Sequence, residues 1–599
     1  MVKFFKISKV RFLVLTLSLC IILGACHQQS PKQYKDYSSH SGISSIVLNE
    51  RIINDLEVLG KVWGYVKYHH PVFSKNMYNI DYELFELIPL ILECNSAEER
   101  NEILVNWING FGFYKMMREK ERQNINLNDS LDYRNLTIDW ISDTLLLGKK
   151  LSDMLQNLRY AKREGESQYV SFNPLGIPVF ERDNLFANIA ILDCGLRVLA
   201  LFRYWNIIEY YFPYKYLTDN DWRTILKTYL PLFVNSSVYS DYLLACYRLS
   251  SEICDTHAYS GIFFRQQLGE KMLPIHMRFI KGSLVVIKVL QKEDLKNSEL
   301  CVGDEIIQIG KVELDSRMQY IRQHTSKSNE SVFLRDLAHN LGRTFDNSVE
   351  VTYKRGKSTY TTQISTVIVD ENKYYSLFNS MVINQPAYEI LEDSVGYIRM
   401  EKIEKSNAAE LSAWICLCRT LIIDMRGYPN DDEFYRLVMS ILVPDDTAFV
   451  MYLVPMNGMP GIYNRSFGRS LKDYKYYGTK FLGKIVVLVD ETTQSSSEFI
   501  TMLLQVNPNV IVLGSQTAGA NGNITRVKLP GVIKLMYSSL GIYYPNGKEV
   551  QRIGVSIDTM IIPTIQGLLN GKDELIECAL SIMKNEEAFT SKFVERINN

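Results

Sequence analysis

The residues with the most chemistry in them lie at one strand-to-helix junction and in one distant histidine turn. Residues 484–508 read KIVVLVDETTQSSSEFITMLLQVNP. The pattern predicts a buried strand ending at Asp490, a polar turn, and a helix beginning inside Ser495-Ser496-Ser497-Glu498. A serine there stands at the C-terminal edge of a parallel sheet, where open α/β folds bind ligands. The free N–H groups and positive dipole of the helix N-terminus suit a tetrahedral oxyanion. The same spacing, Ser495-x-x-Glu498, is also a capping box, in which the serine only satisfies backbone donors. On the junction alone the cap is the simpler reading. A serine hydroxyl needs a base before it can attack. The chain has eight His. One of them, His257, sits in Cys254-Asp-Thr-His-Ala-Tyr259, just after a helical stretch. A base drawn from a remote part of the chain is normal for a serine triad. Alone, such a histidine is as well explained by packing. Taken with Ser495 it points to acyl-transfer chemistry.

Those two turns need elements to hold them, and 599 residues suffice for three to five domains. Lys+Arg is 66 and Asp+Glu is 67, a formal net charge of −1, which argues against a nucleic-acid binder working through a basic surface. Apolar residues at 46% and charged residues at 22% exclude wholesale disorder. Ten Cys is far below the density of a disulfide scaffold. None forms a metal-type pair of pairs, and Cys416 and Cys418, two apart on a strand-like segment, read as buried small hydrophobes. His69 and His70 read as packing or surface histidines, since no Cys, Glu or His stands at metal spacing from them.

The start of the chain reads as a leader. Lys3, Lys6, Lys9 and Arg11 precede an apolar run from Phe12 to Leu23, which ends in Leu23-Gly24-Ala25-Cys26. The length is that of a signal-peptide core, and the ending resembles a bacterial lipoprotein box with Cys26 as the lipidated first residue. The expected division is a lipoprotein signal peptide over 1–26, a polar tether over 27–47, and helical modules over 48–160 and 185–265. A small β-rich domain over 271–368 and an α/β core over 375–599 complete it. The helical modules are related by an internal repeat. Trp63, Tyr68 and Pro71 recur as Trp205, Tyr210 and Pro213, and each copy leads into a helix expected to end near Pro89 or Pro231. In the core, strands at Val395–Met400, Thr420–Asp424, Lys484–Asp490 and Val510–Gly514 alternate with helices, which predicts parallel pairing.

The segment GDEIIQIGKVEL (303–314) resembles the heart of a PDZ domain, a module that binds extended peptide ends by strand addition. The pattern fits a spacer equally well. The full order of segments carries a wider resemblance. DTHAY, the PDZ-like insert, LIIDMRGYP, VVLVDETTQSSSEF, VLGSQTAGANGN and GVSID together resemble the tail-specific, or carboxyl-terminal processing, serine peptidases, and more closely their tricorn-like branch. The resemblance covers roughly residues 185–580. It implies a multidomain α+β chain with N-terminal helical modules, a PDZ-like β domain and a ClpP/crotonase-like α/β catalytic core. Ser495 matches the family nucleophile. The Lys of the Ser-Lys branch is replaced by Ala520, whereas the histidine of the tricorn-like branch is matched by His257. The family's orienting Glu is matched by Gln551, with Glu549 two residues upstream as a substitute and Thr256 as a further candidate. The glycine pair of the family's oxyanion loop is replaced by Asn430-Asp431, so the oxyanion donors implied are the N–H groups of Ser496 and Asn430. Asp424 and Arg426 read as an ion pair.

The function expected is a lipid-anchored serine endopeptidase of the bacterial envelope, facing the periplasm or the exterior. It is expected to cut polypeptides without cofactor or metal, with C-terminal ends offered to the PDZ-like unit, a membrane anchor at Cys26 and no nucleic-acid partner. A catalytically decayed peptide-binding lipoprotein is the alternative, favoured by the missing Lys, Gly pair and Glu. A crotonase-type thioester enzyme is a third, disfavoured because acyl-CoA pools are cytoplasmic whereas this chain carries an export leader.

Overall fold

Two tryptophans mark the repeat in three dimensions. In helix α1 (Glu50–His69), Trp63 Nε1 donates to the carbonyl of Ile80 at 2.8 Å, the first residue of α2 (Ile80–Glu93). In α3 (Cys194–Tyr211), Trp205 Nε1 donates at 3.0 Å to the carbonyl of Trp222, the first residue of α4 (Trp222–Asn235). Each second helix is capped by an acidic or amide side chain, Asn79 or Asp221. Contrary to the sequence expectation, neither helix ends at its proline. Pro89 and Pro231 lie inside α2 and α4, and each helix runs four residues further. A mid-helix proline forfeits one backbone hydrogen bond, but the last turns bury Ile91 and Phe233 and so stay folded. The long helices α1 and α3 approach closely because Gly64 has no side chain: a Cβ there would sit 1.9 Å from the Asn206 side chain. Asn206 instead donates to the carbonyl of Gly60 at 3.0 Å.

The structure is a computed structural model. It describes residues 31–584 apart from 127, 164, 166, 182, 184–185, 187–191, 260, 290–298, 369–384, 393 and 472–476. The leader and Cys26 lie outside the described residues. The stretch 31–47 does not behave as the expected tether. Tyr37, Ile43 and Ile46 are buried in the helical core, and Ser41 gives both its N–H and its hydroxyl to Asp193, the N-cap of α3, each at 2.7 Å. A short polar sequence thus docks by a few apolar side chains spaced along it. Among the described residues no helix is long and apolar enough to cross a membrane.

The β-rich unit is a five-strand antiparallel path with β1 (Ile275–Ile280) at one edge, and a short sixth strand, Val312–Glu313, pairs with Glu305–Ile309 off that path. Helix α5 (Glu330–Leu341) packs beside β1. In the α/β core, β2 (Val395–Arg399), β3 (Thr420–Asp424), β4 (Lys484–Val489) and β5 (Val510–Gly514) pair in parallel in that order, as their buried runs predict. Both faces are covered. Ile485, Val487 and Val489 of β4 enter one apolar cluster, while Val486 and Leu488 enter the other. From this core a hairpin, β6 (Ile524–Leu529) and β7 (Ile533–Ser538), reaches away and buries Val527, Leu535 and Tyr537 in the core of the N-terminal helices.

Candidate active site

Helix α6 (Ser496–Leu504) begins directly after Ser495, which sits at φ +54 and ψ −114. Positive φ is a costly conformation for a residue with a side chain, about 1–3 kcal/mol, and persists where surroundings enforce it. The enforcing contacts are explicit. Ser495 N–H donates to Ala520 O at 3.0 Å and to Glu498 Oε2 at 3.3 Å, and its carbonyl accepts Phe499 N–H at 2.9 Å. The Ser495–Glu498 pair forms a capping box, with Ser495 N–H donating to Glu498 Oε2 at 3.3 Å.

Glu498 is fully buried and holds the neighbouring loop. Its carboxylate accepts from Thr517 Oγ1 at 2.6 Å, Gly519 N–H at 2.8 Å and Ala520 N–H at 3.1 Å, besides Ser495 N–H. Burial pushes its carboxyl up to about 7, against the pull of those four donors. Gly519, at φ +62, lets the loop meet the next segment: a Cβ would stand 2.8 Å from the backbone of Arg552, whose N–H donates to Gly519 O at 2.8 Å.

His257 lies in a short turn, Thr256–Ala258, packed on β7. Its Nδ1 is 2.7 Å from Ser538 Oγ, and Ser538 in turn donates its hydroxyl to Asp255 Oδ1 at 3.0 Å and its N–H to Asp255 Oδ2 at 2.6 Å. Gln551 Nε2 donates to Asp255 Oδ1 at 3.3 Å, and so does His257 N–H at 3.1 Å. Asp255 is wholly buried, and Gln551 Oε1 is buried with no hydrogen-bond partner among the described residues. Burial lowers the His257 imidazole below its ordinary range, and the Asp255 charge works against that shift. The ring is neutral near neutral pH. Its Nε2 makes no hydrogen bond among the described residues, and none joins it to Ser495 Oγ. Bonds at such sites are often long before substrate arrives.

Other residues expected at the site lie differently. Thr256 is engaged by Ser328: its Oγ1 accepts Ser328 N–H and its own N–H donates to Ser328 Oγ, both at 2.9 Å. Glu549 accepts Tyr216 Oη at 2.5 Å and pairs with Arg134 at 3.5 Å. Neither reaches the imidazole, whereas Gln551 does approach it through Asp255. Asn430 Nδ2 donates to Glu404 at 3.0 Å. The part of its loop that meets the serine turn comes earlier: Gly427 O accepts Ser497 Oγ–H at 2.6 Å, and Tyr428 Oη is 3.2 Å from Ser496 Oγ. Asp424 and Arg426 do pair, at 2.7 Å, with Asp573 completing the cluster. Asp255, Ser538 and Glu498 were not singled out as site residues by the sequence. Asp255 carried a local signal, its place two residues before His257, and Glu498 carried one as the third helical residue of the capping box, whereas Ser538 carried none.

A cavity of about 440 Å³ opens between the β-rich unit and the core and reaches Asp490–Thr492, just before the serine turn. Met277, Ile280 and Arg335 line one wall, and Glu401, Arg426 and Thr492 the other. His69 and His70 are buried in packing roles, with Nδ1 of each bonded to nearby backbone. Cys416 and Cys301 are exposed, which corrects the reading of the cysteines as uniformly buried. Cys416 caps a helix, Ala408–Ile415, rather than lying on a strand. Among the described residues no group of three or more His, Cys, Asp or Glu is arranged to hold a metal ion.

Residues 394–561, which include Ser495, the Glu498 loop, Ser538 and Gln551, match the family model of peptidase family S41. No curated protein matches the chain. Among solved structures, a mutant of CPAF is 14% identical, covering 65% of this chain and 98% of its own at a TM-score of 0.50, a likeness of fold. Mature CPAF is also 14% identical, covering 66% and 98% at a TM-score of 0.49. A putative peptidase from Parabacteroides merdae is 14% identical and covers 66% and 97% at a TM-score of 0.40.

Proposed function

We propose, from the premise that this chain belongs to peptidase family S41 and is a serine-type peptidase, that it is an envelope endopeptidase in which Ser495 is the nucleophile and His257 the base. The observation that carries this reading is the turn at Ser495: a side-chain residue held at positive φ at a helix N-terminus. His257 Nε2 takes the hydroxyl proton as Oγ attacks the peptide carbonyl, and returns it to the leaving amine. The Ser496 N–H, an orphan donor of the first helical turn, stabilises the oxyanion. A second donor comes from the loop 427–430. Ala520, where the other branch has its Lys, leaves the histidine as the base.

Polypeptide substrates are met at the β-rich unit, read as a PDZ-like domain. β1 ends the strand path among the described residues, and this edge with the adjacent α5 supports strand addition of a peptide end, which would run toward the cavity shared with the core. The leader supports export and lipidation at Cys26, and hence a place on the envelope facing the periplasm or the exterior.

The test is labelling with a fluorophosphonate, which reacts with an activated serine. The full ectodomain is expected to take one label, mapped to Ser495 by mass spectrometry and lost in Ser495→Ala. Label persisting in Ser495→Ala, or no label on the folded protein, would sink the assignment.

A further inference from the structure

Where the family pattern has an orienting Glu this chain has Gln551, and the nearest acid in sequence, Glu549, is committed to Tyr216 and Arg134. A base without a negative partner forms its imidazolium at greater cost. Asp255 is buried close by, but its Oδ1 is 3.7 Å from His257 Nδ1, too far for a hydrogen bond. Ser538 Oγ fills that gap, 2.7 Å from the ring and 3.0 Å from the carboxylate.

We propose that Ser538 is a positioning residue that couples the charge of Asp255 to the His257 ring, replacing the direct carboxylate–imidazole contact of a triad. The proposal rests on His257 being the base. Proton accounting supports it. Asp255 receives four donors, Ser538 N–H, Ser538 O–H, His257 N–H and Gln551 N–H, as an acceptor-only carboxylate does. The single hydroxyl proton of Ser538 is thus spent on Asp255, and its oxygen can only accept from the ring. That fixes the neutral tautomer as Nδ1–H and leaves the lone pair on Nε2 for the Ser495 proton. As Oγ bonds to the carbonyl carbon, that proton moves to Nε2. The imidazolium keeps its Nδ1 proton, and no proton passes through Ser538. Two features hold the serine in place: Asp255 takes its N–H at 2.6 Å, and it closes strand β7, against which the histidine turn packs. Gln551 has kept the position but changed the job, supplying a donor to Asp255. The other titratable groups that feel Asp255, Tyr204 and Tyr214, are buried and bonded elsewhere, to Ser250 and to the Ile542 backbone.

The experiment measures kcat, KM and the pH dependence of kcat/KM for peptide cleavage by the full ectodomain. Ser538→Ala should lower kcat on the order of 10²-fold with KM unchanged, and should move the acid limb to lower pH because the imidazolium loses its stabilisation. Ser538→Thr, which keeps the hydroxyl, should retain most of the rate. Asp255→Asn combined with Ser538→Ala should be no worse than Asp255→Asn alone. Wild-type kcat and an unmoved acid limb in Ser538→Ala, with His257→Ala inactive, would overturn the coupling. Activity surviving in His257→Ala would instead overturn the assignment of the base. Should Ser538→Ala not fold, the unsubstituted protein still decides: a strongly downfield Nδ1 proton resonance, absent from His257→Ala, is expected, and its absence from the folded protein refutes the coupling.

Discussion

The serine turn and the histidine turn are both organised by one buried carboxylate, but they are built on different scales. Glu498 gathers its donors from close by: Ser495, Thr517, Gly519 and Ala520 lie within 22 positions of it. Asp255 gathers from afar, from Ser538 at 283 positions and Gln551 at 296. One turn is a local product of a strand, a helix and the next loop. The other exists only when the N-terminal helices, the hairpin β6–β7 and the segment around Gln551 are all docked. Half of the candidate site is thus encoded as a motif while its other half is encoded as a fold.

The strongest way to break this contrast is to show that the two turns do not work together. Ser495→Ala and His257→Ala should each cut turnover on an unfolded protein substrate by about 10⁴-fold or more, and the double variant should be no worse. Circular dichroism should report an intact fold. Additive losses would mean that the turns serve separate steps. The next effect concerns the remote support of the histidine turn. Removing residues 27–47 takes away Tyr37, Ile43 and Ile46 and the Ser41 contacts at the cap of α3. At about 1.5–3 kcal/mol per buried apolar side chain, stability should fall on the order of 5 kcal/mol in denaturant titration. An unchanged midpoint would return that segment to the status of a tether. The smallest effect sharpens the local half. Glu498 has its carboxyl raised from 4.5 to about 7 by burial, so the folded state favours the protonated form. Stability is full below the unfolded value and declines as pH rises through 4.5 to 7, by about 3 kcal/mol in all. Glu498→Gln should remove that slope from melting curves taken across the window. An identical slope in the variant would assign it to other groups.

The same contrast explains what was legible in the sequence. The parallel strands and α6 announce themselves by buried runs and a polar turn, and Ser495 stands out at that junction once His257 and the order of motifs are read with it. The tryptophan repeat was legible because identical spacing imposes identical hydrogen bonds, from Trp63 to Ile80 and from Trp205 to Trp222. Pro89 misled, since tertiary burial outweighs one lost hydrogen bond. Thr256 and Glu549 were plausible partners by proximity in sequence, yet their side chains are claimed by Ser328 and Tyr216. Ser538 carries no local mark at all. Its role depends on strand register and on a turn nearly three hundred residues away, which no spacing rule encodes.

The hairpin β6–β7 has a consequence for the order in which the molecule comes into being. A chain made from its N-terminus presents the histidine turn long before residues 484–551 exist, and the helical core stays incomplete until the hairpin inserts Val527, Leu535 and Tyr537. A late-synthesised part of the chain therefore finishes the packing of the first part and brings the Ser495 turn with it. The candidate site is thus a property of the folded whole, since neither half of the chain contains both the histidine turn and the serine turn.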